Sequence, residues 1–231
     1  WFFPGSVRHA ESFPLVLEHL LVPAEFRKRV LLDLMRPVNG ISSGYKTLAD
    51  FVMRGLIHTI LTTNFDTCLP DALRERQPHI KHIHEVNRAR GDYDQFNVYS
   101  KCQIIWLHGR AEQYSDRNGA GETGALDPAL VSLVRPVLDG SPLIVIGYRG
   151  SEPSIMEGLL WRHKEGRLDF HSGVYWCARH GESLHPNVEA FARPLGSNFR
   201  LLRIDGFDEL LSDLSKELAG HDRYAQTHAG A

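Results

Sequence analysis

Between Leu56 and Ile204 the chain repeats one pattern: a short apolar run ends abruptly in polar residues, and a segment with apolar positions at helical spacing follows. Leu56 to Leu61, Gln103 to Leu107, Pro142 to Gly147, Gly173 to Ala178 and Phe199 to Ile204 predict strands. Helices are predicted over Tyr45 to Gly55 with Gly55 as the stop, over Thr67 to Arg76, from about Asp127 to Leu138, from Ser154 onward, and over Phe207 to Leu218. Ser154 and Glu157 have the spacing of a capping box, which would make Ser154 the first residue of its helix. Near-continuous apolar strands alternating with helices suit a parallel sheet, because each crossover helix must bury a sheet face. The expected fold is α/β: a doubly wound Rossmann-like parallel sheet with helices on both faces. Its ligand crevice would lie at the strand carboxyl ends.

Three regions depart from this pattern. Phe13 to Met35 carries apolar residues at helical spacing, and Pro14 and Pro23 divide it into shorter helices. With the rest of residues 1–55 it reads as a helical segment covering the crevice, part of the same domain as the Rossmann-like unit at 56–219. The polar stretch His79 to Ser100, which includes Arg88-Ala89-Arg90-Gly91-Asp92, reads as an irregular excursion, and Ala111 to Gly124 as a glycine-rich loop. Residues 220–231 show no apolar pattern and are expected to be a frayed tail.

Composition narrows the function classes. With 231 residues, 42% hydrophobic and 23% charged, the chain can bury a sizeable core. Lysine and arginine number 26 against 28 aspartates and glutamates, a net charge of -2 that gives no electrostatic reason to expect a nucleic-acid or membrane partner. Cys68, Cys102 and Cys177 are odd in number and far apart, so they suggest neither a disulfide framework nor a metal site, and a reducing cytoplasm fits them best. No apolar run approaches the roughly 20 residues needed to span a bilayer. The start, Trp1-Phe2-Phe3-Pro4-Gly5-Ser6, lacks the regions of a signal peptide and an initiator methionine, and reads as a domain cut from a longer protein.

Candidate chemistry concentrates where strands end. Leu61-Thr62-Thr63-Asn64-Phe65-Asp66 and Ile104-Ile105-Trp106-Leu107-His108-Gly109 both pass from apolar residues to groups able to bind and activate a substrate. Ile144-Val145-Ile146-Gly147 then runs into Tyr148-Arg149-Gly150-Ser151-Glu152, and Asp205-Gly206-Phe207-Asp208-Glu209 opens the last helix. Taken singly these have plain structural readings. Asp66 can cap the helix after it, His108 is one of 13 histidines, Gly147 can serve an ordinary strand-to-helix turn, and Phe207 can staple an amphipathic helix.

In their order, however, these segments resemble the Thr-x-Asn-x-Asp and His-Gly motifs of the sirtuin family, followed by its glycine turn and late adenine-side contact. The resemblance runs from about Leu56 to Leu218. It implies NAD as substrate, with Asn64 holding the nicotinamide ribose or the attacking water, Asp66 binding the carboxamide and His108 acting as general base. By the same resemblance Thr62, Thr63, Phe65, Gly109, Gly147, Tyr148, Ser151 and Phe207 would contact NAD.

Three departures refine the resemblance. Sirtuin deacylases carry a four-cysteine zinc module between the His-Gly and glycine-turn positions, whereas Arg110 to Ser141 contains no cysteine, so no zinc or other metal is expected. The Asn64 to His108 spacing is expanded and Gly-Tyr-Arg-Gly-Ser replaces the usual turn, as in the zinc-less bacterial sirtuin-like proteins that hydrolyse NAD in antiphage defence. The family's first strand and Gly-Ala-Gly phosphate loop have no counterpart near Trp1. Gly40-Ile41-Ser42-Ser43-Gly44 is a weak substitute with no strand leading into it, so half of the dinucleotide cradle is expected upstream.

The implied function is therefore an NAD glycohydrolase, releasing nicotinamide and ADP-ribose, controlled by other domains of a longer protein or by a homo-oligomer. An NAD-dependent protein deacylase and a non-catalytic sensor of NAD or ADP-ribose are the alternatives.

Overall fold

The computed structural model describes residues 24–35, 40–77, 83–87, 102–109, 126–161 and 168–228. The proposed helix within Phe13 to Pro23 and the loop Ala111 to Gly124 lie outside them.

Helix α1 spans Ala24–Met35 and α2 spans Ser43–Met53. Gly55, at φ +71°, ends α2 as expected: its amide donates to Val52 O at 2.9 Å and the Leu56 amide donates to Phe51 O at 3.0 Å. This is the Schellman arrangement, which suits glycine because the left-handed position tolerates no Cβ comfortably. Strand β1 is Thr59–Thr62, three residues later than the apolar run from Leu56 suggests, because that turn consumes the start of the run. Helix α3 covers Cys68–Arg76.

The polar stretch expected to be irregular contributes a strand, β2 at Ile83–Asn87. It pairs in parallel with β3, Cys102–Trp106, whose other edge takes β1, giving the order β1-β3-β2. An edge strand has one neighbour and needs less apolar character than the centre, which explains how Ile-His-Glu-Val-Asn holds its place. Central β3 is buried at every position. Its side chains alternate between two cores: Ile105 joins one cluster, and Cys102, Ile104 and Trp106 join the other against Ala49 and Val52 of α2 and Leu69, Ala72 and Leu73 of α3.

Helix α4 spans Pro128–Gly140, with Asp127 as N-cap accepting from the Ala129 amide at 2.8 Å. Strand β4 is Leu143–Val145, β5 is Val174–Arg179 and β6 is Phe199–Ile204, a second parallel sheet in the order β4-β5-β6. Between β4 and β5 the chain forms a short α5, Pro153–Ile155, continuing as a π-helical turn over Met156–Leu160. The capping box proposed for Ser154 is not formed. Pro153 occupies the first turn, where its missing N–H costs nothing, so the cap falls on Glu152 and Ser154 is buried. Helix α6, Pro186–Ala192, and a 3-10 segment, Arg193–Asn198, lead into β6.

Helix α7 runs over Phe207–His228, ten residues beyond the expected end at Leu218 and through most of the stretch expected to fray. Val174 and Trp176 of β5 share a core cluster with Ile105, Leu107 and residues of α4 and α6, so the two sheets are packed through one interior. The architecture is thus α/β with parallel sheets and helices. This is consistent with the Rossmann-like class expected, and among the described residues the ladders form two three-stranded sheets.

Candidate functional site

Parallel pairing places the expected site residues side by side. Thr62 is in register with Trp106, and the Leu107 amide donates to Thr62 O at 2.9 Å just past the ladder. Asn64 and His108 each stand two residues beyond that last pair, at the carboxyl edge of their strands. Trp106 Nε1 donates to Asp66 O at 3.4 Å, which holds the loop after β1 against β3.

Asn64 is exposed and tethered. Its amide donates to Thr62 Oγ1 at 3.0 Å, and Nδ2 donates to the Tyr45 hydroxyl at 3.4 Å. Asp66 Oδ1 accepts from the Cys68 amide at 2.9 Å, so the carboxylate starts α3 in the way its structural reading anticipates, although the cap position itself is Thr67. Its charge is felt by its neighbours. Burial first, then Asp66, pushes the Tyr45 hydroxyl and the Cys68 thiol each up to about 12. Thr63 and Phe65 are half-buried between these anchors.

His108 is buried, its side chain 6% exposed, and Nε2 lies 3.3 Å from Glu152 Oε2. Nδ1 is buried without a partner among the described residues. The pair joins the loop after β3 to the loop after β4, bringing His108 and the segment Gly147 to Glu152 to one edge. Gly109, at φ +88°, donates to Trp106 O at 3.3 Å directly after His108. Gly147, at φ +71°, is exposed, and a Cβ there would meet nothing within 4 Å among the described residues. Tyr148 packs 6.0 Å from the Trp176 ring. Its hydroxyl is driven strongly upward by burial and then by the Glu152 charge. Ser151 is half-buried and Arg149 exposed in the same loop.

Phe207 lies on the Asn64 side, its ring 5.1 Å from Tyr45. The adjoining Asp208 Oδ1 accepts from Ser42 Oγ at 2.8 Å and from the Gly44 amide at 2.9 Å. The weak substitute for a phosphate loop is thereby occupied by an internal carboxylate, which sits in the first turn of α7 and at the start of α2, where helix dipoles favour negative charge. Gly44 has no room for a side chain, since a Cβ would collide with Asp208 Oδ1 and the Phe207 ring.

Three participants escaped sequence reasoning. Tyr45 carries no signal, being one aromatic residue in a helix. Glu152 and Asp208 sit in segments singled out for their neighbours, and their position after a strand that ends at the crevice was the available clue. Two shallow hollows elsewhere, one along α1 and one between α4 and Leu168, include no strand-end residue. Among the described residues no group of three or more His, Cys, Asp or Glu is placed to hold a metal, and no helix is long and apolar enough to cross a membrane. The three cysteines are free thiols.

Comparison with known proteins gives one family. A model described as a SIR2-like domain matches residues 58–193, more than half of the 231-residue chain. The match begins just before β1 and ends just after α6, so it includes Asn64, Asp66, His108, Gly147 and Glu152 and excludes Phe207 and Asp208. The comparison with curated proteins found no match.

Proposed function

Because the chain belongs to the SIR2-like domain family, we propose that it is an NAD glycohydrolase. The observation that carries this reading is the register of β1 and β3, which sets Asn64 and His108 at equivalent places on one sheet edge, two residues past the Thr62–Trp106 pair. Cleavage breaks the bond between the nicotinamide nitrogen and the ribose C1′. The electron pair leaves with neutral nicotinamide, water adds to C1′, and one proton is released, giving ADP-ribose. The transition state has oxocarbenium character, so the site must hold the ribose, direct water and carry away a proton. Asn64, tethered by Tyr45, offers an amide to a ribose hydroxyl or the water. His108, with Nδ1 unpartnered among the described residues, offers a base.

The carboxylates of Asp66 and Glu152 border this edge and favour developing positive charge, as they favour the pyridinium of the substrate. Asp66 reaches the carboxamide, and Gly147 with its open side admits the ligand backbone to backbone. Thr62, Thr63, Phe65, Gly109, Tyr148, Ser151 and Phe207 complete the NAD contacts. The cysteine-free stretch Arg110 to Ser141 and the Gly-Tyr-Arg-Gly-Ser turn liken the chain to zinc-less sirtuin-like hydrolases of bacterial antiphage defence, and we place it as such an effector, regulated by further domains or by self-association.

Nicotinamide release from NAD by the purified protein tests this directly. Turnover is expected, with Asn64→Ala and His108→Ala each lowering it by roughly 100-fold or more while NAD binding persists. NAD bound without turnover in any variant would instead identify a sensor, and NAD consumption dependent on an acyl-lysine peptide would identify a deacylase.

A further inference from the structure

The contact between His108 and Glu152 has a chemical consequence beyond joining two loops. Glu152 is the N-cap residue of α5, yet its side chain makes no capping bond. Its backbone carbonyl serves the helix, accepting from the Ile155 amide at 3.2 Å and the Met156 amide at 2.9 Å. The carboxylate is left to face His108, 3.3 Å from Nε2. A carboxylate only accepts hydrogen bonds, so the neutral imidazole facing it must carry its proton on Nε2. The lone pair then resides on Nδ1, the nitrogen without a partner among the described residues.

The arm that delivers Glu152 is fixed from both sides. Gly150, at φ +83°, is packed so closely against Val188 that a Cβ would collide with its Cγ2, with Trp176 and Met156 at ordinary contact distance, and Pro153 restricts the backbone immediately after. One residue, Ser151, separates Gly150 from Glu152, so the point at which the side chain leaves the backbone is fixed.

We propose that Glu152 is a positioning residue for the hydrolytic reaction, holding the His108 ring in the Nε2–H tautomer so that the lone pair lies on Nδ1, the buried nitrogen that substrate must reach for it to act as the base. The proposal rests on the reading of His108 as general base. A carboxylate that orients a catalytic imidazole without itself taking the proton is a recurring solution, and its loss leaves the base in the wrong tautomer.

The test compares the full chain with Glu152→Ala, Glu152→Asp and Glu152→Gln, using two independent readouts. Nitrogen-15 correlation spectra of the His108 ring, recorded where the ring is neutral, report the tautomer whether or not the protein turns over. Nicotinamide release from NAD reports kcat and KM. Wild type is expected to show Nε2–H alone. Glu152→Ala and the shorter Glu152→Asp are expected to give a tautomer mixture and to lower kcat by about 100-fold, less than or equal to the loss in His108→Ala, with KM within about twofold. Glu152→Gln, whose amide oxygen still accepts from Nε2–H, is expected to restore the tautomer and most of kcat.

Unchanged His108 spectra in folded Glu152→Ala or Glu152→Asp overturn the proposal, as does a loss confined to KM. A Glu152-dependent tautomer in a wild type that binds NAD and never cleaves it overturns the hydrolase reading instead.

Discussion

At the scale of single residues, the edge of the first sheet is governed by one carboxylate seen by several neighbours. Asp66 ties the start of α3 through the Cys68 amide and raises both the Tyr45 hydroxyl and the Cys68 thiol, in each case after burial. The thiol held up to about 12 is neutral throughout the physiological range, and only the thiolate is a good nucleophile. Cys68 should therefore be alkylated by iodoacetamide at pH 8 far more slowly than free cysteine. Asp66→Asn, which removes the neighbouring negative charge and leaves burial in place, should hasten the reaction several-fold. Equal rates in the two proteins would show that the Asp66 charge does not reach the sulfur. Sequence could nominate Asn64, Asp66 and His108 because each follows an apolar run. It could not pair Asn64 with Tyr45, 19 residues away, or His108 with Glu152, 44 residues away, since nothing local records either contact.

At the scale of elements, the strongest runs were the most legible. Ile-Ile-Trp-Leu reads as a buried strand because it is buried on both sides, and Gly55 reads as a helix stop because the left-handed turn needs it. Strand β2 escaped notice because its place is set by the central strand beside it and not by its own composition. Helix α5 starts one residue before Ser154, because Pro153 in the first turn outweighs the Ser154 and Glu157 spacing. The joining of α2 to α7 was invisible, because Asp208 is 166 residues from Ser42 and 164 from Gly44. Both bonds end on one oxygen of a charged group, so Asp208→Ala should cost about 1–3 kcal/mol, and Asp208→Asn, which keeps an acceptor, less. Urea denaturation would measure both, and no change in midpoint for the alanine variant would mean that water replaces the carboxylate at no cost.

At the scale of the whole molecule, the two sheets share one interior. Trp176 of β5 is buried among Tyr148, Phe191 and Phe199, with ring centroids 6.0, 6.4 and 6.3 Å away, in the cluster that also contains Ile105 and Leu107 from the end of β3. Trp176→Ala should destabilise the protein by about 3–5 kcal/mol. If the halves are one cooperative unit, signals from both sheets should be lost in a single transition. Two separated transitions, with the first sheet surviving, would show that β1, β2 and β3 with α2 and α3 stand alone. The family match stops before β6, while the contacts of Phe207 and Asp208 return the last helix to the start of α2.

Gly150 links these scales. Its backbone is seated against Val188 of α6, Trp176 of β5 and Met156, and the acid that faces His108 follows two residues later. On the role proposed for His108, the aim of the imidazole is inherited from the interior of the protein, and evolutionary change at Val188, buried in the core, is constrained by the geometry of a proton transfer.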